Sequence, residues 1–235
     1  MEDLDLLVLA AGSGTRVGGS VPKQFQLLGG RPVIVYGLRV FESIPYIASR
    51  LLVCAPELMS PISDMLEDHR MRDWTLVEGG RTRADSVRLG LARVRTERVL
   101  THNAAMPFVT RHLVDQVQGD DDCITTTTPL EYNLCEGEDI AERIVPRARL
   151  KYINTPQSFR TDVVLQCHER AHLEGFVPQS DTELLLHYGH RIRLVPGTPA
   201  NFKVTTRTDL LTAEMILGHP ELWEELGLDS YWGRD

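Results

Sequence analysis

A short apolar run followed by a loop of small residues lies near the start of the chain and constrains its fold most strongly. Leu6–Leu9 has the length and composition of a buried β-strand. The loop Ala10-Ala11-Gly12-Ser13-Gly14 follows directly, with Arg16 behind it and Lys23 further on. Small residues let backbone N–H groups approach an anion, and consecutive N–H groups form a concave nest for phosphate oxygens. The stretch therefore predicts a polyphosphate site, with a nucleoside triphosphate as the first candidate.

The same loop also has a purely structural interpretation. Glycine-rich turns after a first strand are common in α/β proteins, and most of them bind nothing. The stretch matches neither the dinucleotide fingerprint Gly-x-Gly-x-x-Gly nor the Walker A pattern with its closing Gly-Lys-Ser/Thr. Its specificity comes from Arg16 and from Pro22-Lys23-Gln24, because two cations would add full positive charges to a nest of N–H groups.

Composition and charge narrow the possible functions. A chain of 235 residues with 42% hydrophobic content can bury one sizeable core, so a single α/β domain over residues 1–235 is expected. The net charge of −8 argues against non-specific binding to nucleic acid or to an anionic membrane. The four cysteines include no C-x-x-C pair, which is typical of reduced thiols in a cytosolic protein. Because no signal peptide or membrane-length apolar run is visible, a cytoplasmic location is expected.

Predicted strands and helices alternate along most of the chain. Further strands are predicted at Leu51–Ala55, Trp74–Val77, Val99–Thr101, Cys123–Thr127, Ile192–Val195 and Asn201–Thr206. Helices are predicted at Pro32–Ser43, Leu58–Glu67, Ala84–Val94, Arg111–Gln118, Thr161–Glu174 and Glu183–Tyr188, with another starting at Thr208. Ile153–Arg160 is interpreted as a turn segment, and residues 129–145 as a protruding arm or an ordinary surface excursion. Alternation of this kind predicts a mainly parallel sheet that binds its ligand at the carboxyl ends of the strands.

The third predicted strand runs into a second loop that is rich in glycine and arginine. Gly79 and Gly80 precede Arg83, and Ser86 lies in the first turn of the next predicted helix. A helix start offers free N–H groups and a partial positive charge to a ligand. A capped, solvated turn without a ligand is the alternative. If this loop faces the first one across the same sheet edge, it is placed to hold the base and ribose of a nucleotide.

Together these motifs resemble the cytidylyltransferases that make diphosphocytidyl-methylerythritol in the non-mevalonate isoprenoid pathway. The wider family includes relatives that act on ribitol 5-phosphate and similar polyol phosphates. The resemblance runs from Leu6 to about Leu217 and implies a Rossmann-like nucleotidyltransferase fold with a mainly parallel twisted sheet. It also implies CTP as donor, Mg²⁺ on the triphosphate, a small phosphorylated acceptor and a homodimer formed through the arm at about 129–150. The motifs that carry it are Ala10–Arg16, Pro22-Lys23-Gln24, Gly79-Gly80 with Arg83–Ser86, Thr155-Pro156-Gln157 and Lys203-Val204-Thr205.

The resemblance further implies a role for each motif. Arg16 and Lys23 would hold the CTP phosphates, and Lys203 would contact the reacting phosphates or the acceptor phosphate. No protein ligand for the metal follows from it. The remaining CTP contacts would come from Ala10, Ala11, Gly12, Ser13, Gly14, Gly80, Arg83 and Ser86. The acceptor contacts would come from Asn103, Arg147, Thr155 and Ser180.

The acceptor half of the chain departs from the family pattern. The family usually has His-Asp-Ala-Ala-Arg-Pro after the fourth strand, whereas Asn103 and Met106 replace the acid and the arginine here. The usual Asp-Thr of the arm is replaced by Glu131-Tyr132. Three interpretations therefore stay open. The chain is a methylerythritol enzyme with compensating changes, a cytidylyltransferase for another phosphate or phosphonate acceptor such as ribitol 5-phosphate, or a nucleotide-binding paralogue with impaired chemistry.

Overall fold

The structure is a computed structural model that describes residues 3–12 and 22–228. One central sheet contains seven strands, with helices packed on both faces. The strands are β1 Leu4–Leu9, β2 Ile47–Cys54, β3 Trp74–Glu78, β4 Arg98–Asn103, β5 Cys123–Pro129, β6 Lys151–Arg160 and β7 Ile192–Pro196. The helices are α1 Val33–Glu42, α2 Met59–Asp68, α3 Arg83–Leu91, α4 Arg111–Gln116, α5 Thr161–Glu174, α6 Asp181–His187 and α7 Arg207–Gly218.

The strand order across the sheet is β7-β5-β6-β4-β1-β2-β3. β1 pairs in parallel with β2 on one side and with β4 on the other, and β7 is parallel to β5. β6 runs antiparallel to both β4 and β5. The predicted mainly parallel α/β fold is therefore confirmed. Because the chain moves from β1 to β2 in one direction and later to β4 in the other, a crevice opens at the carboxyl end of β1.

β1 is buried on both faces, which explains why its sequence is almost continuously apolar. Leu6 and Val8 pack on one side in a cluster with Phe41 of α1. Leu7 points to the other side and joins a cluster with Leu91 of α3. Successive side chains of a strand point to opposite faces, so a strand covered by helices on both sides needs apolar residues at consecutive positions.

The prediction of a turn at Ile153–Arg160 was wrong, because these residues belong to β6. The register between β6 and β5 shifts between Ile153 and Gln157. Pro156 lies in this interruption of the ladder, where its missing N–H group is tolerated. Gln157 and Ser158 are buried although they are polar, and their side chains donate hydrogen bonds to the carbonyl groups of Asn154 and Val117. A sequence of turn-like composition thus forms a strand because it pairs with β4 on one side and with β5 on the other.

The prediction of a last short strand at Asn201–Thr206 was also wrong. The segment is irregular and is held by single hydrogen bonds in place of a ladder. The Val204 N–H donates to the Ala105 carbonyl at 2.8 Å, and the Asn201 side-chain amide donates to the Thr155 carbonyl at 2.7 Å. These bonds tie the segment to the loop after β4 and to β6.

The segment predicted as the arm contains a two-stranded antiparallel hairpin. Leu134–Glu136 pairs with Arg143–Val145, and an ion pair between Arg143 and Glu136 connects the two strands. Large apolar side chains of the arm are exposed, including Tyr132 at 78% and Ile140 at 79%. The predicted use of the arm for dimerisation stays a prediction.

All four cysteines are free thiols, and three of them are buried. Burial raises the pKa of Cys54 to about 11, so this thiol stays protonated and unreactive at neutral pH. No helix within the described ranges is long and apolar enough to cross a membrane.

We expect Gly90→Ala to lower the free energy of unfolding by about 1–3 kcal/mol, as is typical of overpacked cores. Helix α3 lies so close to the sheet that a Cβ at Gly90 would be 2.4 Å from Leu7 Cδ1 and 2.9 Å from Val53 Cγ2. Denaturant unfolding measures the change. Gly218→Ala is the control, since its Cβ would have no atom within 4 Å. An equal effect of the two substitutions would contradict this account of the packing.

Candidate functional site

A cleft of about 320 Å³ opens where the strand order changes direction, at the carboxyl ends of β1 and β4. Open parallel sheets bind their ligands at this position. The described start of the first predicted loop, Ala10–Gly12, meets the second predicted loop there, although the two lie far apart in the chain. The predicted site residues that line the cleft are Ala10, Ala11, Gly12, Lys23, Gly80, Arg83, Ser86, Asn103 and Lys203. Three further predicted residues, Ser13, Gly14 and Arg16, lie outside the described residues.

Gln24 holds the first loop in place. Its buried side-chain amide donates to the Ala10 carbonyl at 2.8 Å and to the Gly12 carbonyl at 3.4 Å. The Ala10 N–H in turn donates to the Val53 carbonyl at 2.8 Å. Gln24 is a functional residue that the sequence indicates only by its place directly after Lys23. The amide fixes the backbone at the end of β1 and thereby positions Lys23 at the cleft.

Cations are concentrated at the cleft of this acidic protein. The chain contains only three lysines, and two of them, Lys23 and Lys203, line the cleft. Arg81 and Arg83 also line it, and no Asp or Glu occurs among its described lining residues. Cations collected in a cleft of low dielectric raise the local concentration of an anionic ligand. The cleft therefore suits a polyanion.

The second loop is shaped by close backbone packing. The Gly80 N–H donates to Ser86 Oγ at 3.1 Å, and this hydroxyl donates to the Thr82 carbonyl at 2.9 Å. A Cβ at Gly80 would lie 2.3 Å from Asp85 Cβ, so the tight turn needs glycine. Thr82 caps α3 in a reciprocal capping box with Asp85. Because Ser86 is buried and bonded within the loop, it sets the loop shape here.

Arg83 is held at the cleft by a buried carboxylate from a distant helix. Its guanidinium forms two hydrogen bonds with Asp181, at 2.6 and 3.2 Å. His168 Nε2 lies 3.1 Å from Asp181 Oδ1. The side chains of Asp181 and His168 are almost fully buried, whereas that of Arg83 is 42% exposed. This network links α3, α5 and α6 behind the cleft, and local sequence patterns give no signal for it.

Burial alone raises the pKa of Asp181, but Arg83 and His168 outweigh this effect and hold the pKa well below its usual value. A carboxyl group whose pKa is lowered by folding stabilises the fold at pH values above its pKa in the unfolded state, which is about 3.9 for aspartate. The contribution is lost as the pH falls from there towards the folded-state pKa. The ion pair is therefore fully formed at neutral pH.

We expect Asp181→Asn to lower the free energy of unfolding at pH 7 by about 1–3 kcal/mol, the usual cost of a lost hydrogen bond to a charged group. The difference from the unsubstituted protein should shrink below about pH 4, because Asp181 becomes protonated there in the unfolded state. Denaturant unfolding at several pH values measures it. Asp64→Asn on the exposed face of α2 is the control. A difference that does not depend on pH would contradict the ion-pair assignment.

His102 is a buried structural link. Its Nε2 donates to the Met106 carbonyl at 2.9 Å, so Nδ1 is left to accept a hydrogen bond from Thr155 Oγ1 at 3.0 Å. Burial lowers the pKa of His102 to about 4, and the hydrogen bond to Met106 offsets only part of this effect. The ring is therefore neutral at pH 7. It does not line the cleft and connects the end of β4 with β6.

Thr155 lies behind Asn103 and outside the cleft lining. Its hydroxyl donates to His102 and accepts from the Asn103 N–H at 3.2 Å. Asn103 Oδ1 accepts from the Ala105 N–H at 3.1 Å, and its Nδ2 has no hydrogen-bond partner in the described part of the chain. The amide nitrogen of Asn103 is therefore the group available to a ligand.

The other two predicted acceptor residues lie away from the cleft within one chain. Arg147 starts the short 3₁₀ turn Arg147–Arg149 at the base of the arm, and its side chain is exposed. Ser180 caps α6 by accepting a hydrogen bond from the Glu183 N–H at 3.1 Å. Their roles in binding an acceptor stay predictions.

No group of three or more His, Cys, Asp or Glu residues that could hold a metal occurs within residues 3–12 and 22–228. The described lining residues of the cleft offer only neutral side-chain oxygens, from Gln24, Thr82, Ser86 and Asn103, and the Ala105 N–H already occupies one side of the Asn103 oxygen. Mg²⁺ prefers carboxylates, phosphates and water as ligands. These residues therefore do not form a protein cage for Mg²⁺.

A mainly parallel sheet with two small-residue loops and two lysines at its switch point defines an α/β nucleotidyltransferase. The family model described as 2-C-methyl-D-erythritol 4-phosphate cytidylyltransferase matches residues 4–219. The chain belongs to this family.

Curated relatives and solved structures agree with this assignment. The relative from Clostridium novyi (strain NT) is 32% identical over 220 residues, covering 90% of this chain and 95% of the relative. The relative from Cupriavidus pinatubonensis (strain JMP 134 / LMG 1197) is 36% identical over 236 residues, covering 90% and 93%. Both carry the family name.

The crystal structure of 2-C-methyl-D-erythritol 4-phosphate cytidylyltransferase from Thermus thermophilus is similar to this chain with a TM-score of 0.78 and 29% identity. The match covers 91% of this chain and 98% of that one. A structure from Anaerococcus prevotii DSM 20548 has a TM-score of 0.80 at 24% identity, covers 92% and 96%, and supports the fold alone.

Proposed function

We propose that this chain transfers CMP from CTP to 2-C-methyl-D-erythritol 4-phosphate and releases pyrophosphate. The observation that carries the proposal is the cleft, where the start of the first loop, the second loop and two of the three lysines of the chain meet. The family match over residues 4–219 supports the same reaction. CTP and a small phosphorylated acceptor are the partners that this reaction requires.

The reaction is an in-line displacement at the α-phosphorus. An oxygen of the acceptor phosphate forms a bond to this phosphorus as the bond to the β-phosphate bridge breaks, and pyrophosphate leaves with the electron pair. The acceptor phosphate is largely ionised at neutral pH because its second pKa is about 6. A protein base is therefore unnecessary, which fits the buried and neutral state of His102.

The protein contributes positioning and charge stabilisation. Lys23 and Lys203 line the cleft and would donate to phosphate oxygens as negative charge moves onto the leaving group. Arg16 belongs to the same proposal on the strength of the sequence resemblance. Mg²⁺ would enter on the triphosphate and neutralise part of its charge. Since the described cleft lining contains no carboxylate, triphosphate and water oxygens would be its main ligands.

We expect Lys23→Ala to lower kcat by about 100- to 1000-fold, the usual effect of removing one preorganised charge-stabilising donor. Release of pyrophosphate from CTP measures the rate, and thermal unfolding reports on folding. Lys151→Ala is the matched control, because the third lysine of the chain is exposed at the start of β6. Near-normal turnover by a folded Lys23→Ala protein would contradict a catalytic role for Lys23.

A different acceptor is the second candidate, and Asn103 is the observation that favours it. An amide nitrogen faces the ligand where the family usually has a carboxylate, so one charged acceptor for hydroxyl hydrogen bonds is missing. Such bonds contribute about 1.5–3 kcal/mol. Ribitol 5-phosphate and polyol phosphonates are therefore alternative acceptors. A nucleotide-binding paralogue with impaired chemistry is the third interpretation.

We expect pyrophosphate release with 2-C-methyl-D-erythritol 4-phosphate, and a gain of about ten- to a hundredfold in its kcat/KM on Asn103→Asp. The new carboxylate would keep the bond to Ala105 and offer its second oxygen to a hydroxyl. Met106→Arg is tested separately, because Met106 is only 5% exposed and an arginine would have to displace its neighbours. Ribitol 5-phosphate and a polyol phosphonate complete the panel.

No gain on Asn103→Asp together with turnover of another compound would identify a different acceptor. No turnover across the panel, with CTP still bound, would favour the binding paralogue.

The arm suits a homodimer contact in this proposal. Tyr132, Ile140 and Ile144 expose large apolar surfaces there, and a second copy of the chain would bury them. Arg147 lies at the base of the arm, where it could reach the site of a partner subunit. Dimerisation and a cytoplasmic location are proposals that rest on the resemblance and on these exposed residues.

A further inference from the structure

Arg83 lines the cleft with a long and flexible side chain, so its direction must be set by its neighbours. The side chain is 42% exposed. Its two terminal nitrogens donate to the two oxygens of Asp181, at 3.2 and 2.6 Å. A guanidinium has five N–H donors, and these two bonds leave three of them without an acceptor among the described residues. Arg83 therefore keeps donors for a ligand in the cleft.

Asp181 can orient the guanidinium only if its own carboxylate is held in one orientation. The residue begins α6 and is fully buried, so the helix fixes its backbone. The carboxylate can still turn about the Cβ–Cγ bond, because terminal torsions of this kind have broad energy wells. The guanidinium bonded to it would then move with it. A second contact to the carboxylate is therefore needed.

His168 supplies this contact from the middle of α5. Its Nε2 lies 3.1 Å from Asp181 Oδ1 and donates the hydrogen bond, because an ionised carboxylate can only accept. The residue is 3% exposed, so packing fixes its ring. Arg83 belongs to α3, Asp181 to α6 and His168 to α5. Three helices thus hold the orientation of one guanidinium.

We propose that His168 is a positioning residue for nucleotide binding, which holds Asp181 in the orientation that points the Arg83 guanidinium into the cleft. The inference rests on the CTP-dependent activity proposed above and adds a residue that lies outside the cleft lining. His168 does not touch the nucleotide. It orders the guanidinium before CTP arrives, so that binding does not have to immobilise a free side chain.

The first test is His168→Leu, which removes the donor and keeps an apolar side chain at a buried position. Kd and KM for CTP should rise about three- to tenfold, the usual effect of having to immobilise one more side chain on binding. KM for 2-C-methyl-D-erythritol 4-phosphate should not change. His172→Leu is the control, because it makes the same substitution at an exposed position one turn further along α5. An equal rise of KM for both substrates would indicate a general structural role and overturn the inference.

A second pair of variants tests the hydrogen bond itself. In His168→Gln the amide nitrogen reaches about the position of histidine Nε2 and can donate, so the affinity for CTP should return towards normal. His168→Asn carries the same amide on a shorter side chain that ends before Asp181, so it should resemble His168→Leu. Equal CTP affinity of the glutamine and asparagine variants would overturn the inference, and this pair decides the question if His168→Leu does not fold.

The NMR signals of the Arg83 guanidinium give a readout that does not depend on turnover. Rotation about its C–N bonds slows when both terminal nitrogens are held, and the N–H signals of each nitrogen then separate. Arg83→Lys assigns these signals. Their exchange should be faster in His168→Leu than in the unsubstituted protein and in His168→Gln. An unchanged exchange rate in His168→Leu would overturn the inference.

The outcomes separate this inference from the proposed function. Turnover by the unsubstituted protein, with equal CTP affinity in His168→Leu and His172→Leu, would overturn the role of His168 and leave the transferase function standing. CTP binding that His168→Leu weakens and His168→Gln restores, without any turnover, would support the positioning role and contradict the function. The absence of CTP binding by the unsubstituted protein would overturn both.

Discussion

Burial of both faces of β1 is the constraint on which the site depends. Leu6 and Val8 anchor the strand to the α1 side, and Leu7 anchors it to the α3 side. Burying one leucine or valine side chain contributes about 1.5–3 kcal/mol, so several in one strand hold its backbone firmly. β2 and β4 flank the strand in parallel register. The chain therefore leaves β1 after Leu9 at the switch point of the sheet, where a polyanion can approach its backbone N–H groups.

Several polar side chains around the cleft already form hydrogen bonds with the backbone or with other side chains of the protein. Gln24 is committed to the first loop, Ser86 to the second, and Asp181 to Arg83. His102 and Thr155 form a similar link behind β4. A site whose polar groups are already fixed needs little reorganisation when charge develops, which is the physical basis of electrostatic catalysis. In the proposed reaction, the cations at the cleft edge would then stabilise the developing charge.

Lys203 lies at the edge of the cleft on an irregular segment of the chain. The segment that carries it has no ladder of its own and is fixed by Val204 on Ala105 and by Asn201 on Thr155. The same segment thus contacts the loop after β4 and the interrupted part of β6. Together these bonds fix the backbone that brings Lys203 to the edge of the cleft.

The sequence by itself determined β1, the two loops, the helices and the mainly parallel sheet, because these follow from local periodicity and from small or capping residues. It also identified most cleft residues through their motifs. Tertiary structure alone decided that Ile153–Arg160 is a strand, since Gln157 and Ser158 find their partners in the fold. It alone paired Arg83 with Asp181 and His102 with Thr155. The residues of each pair lie far apart in the chain, and local sequence patterns do not predict that they come into contact.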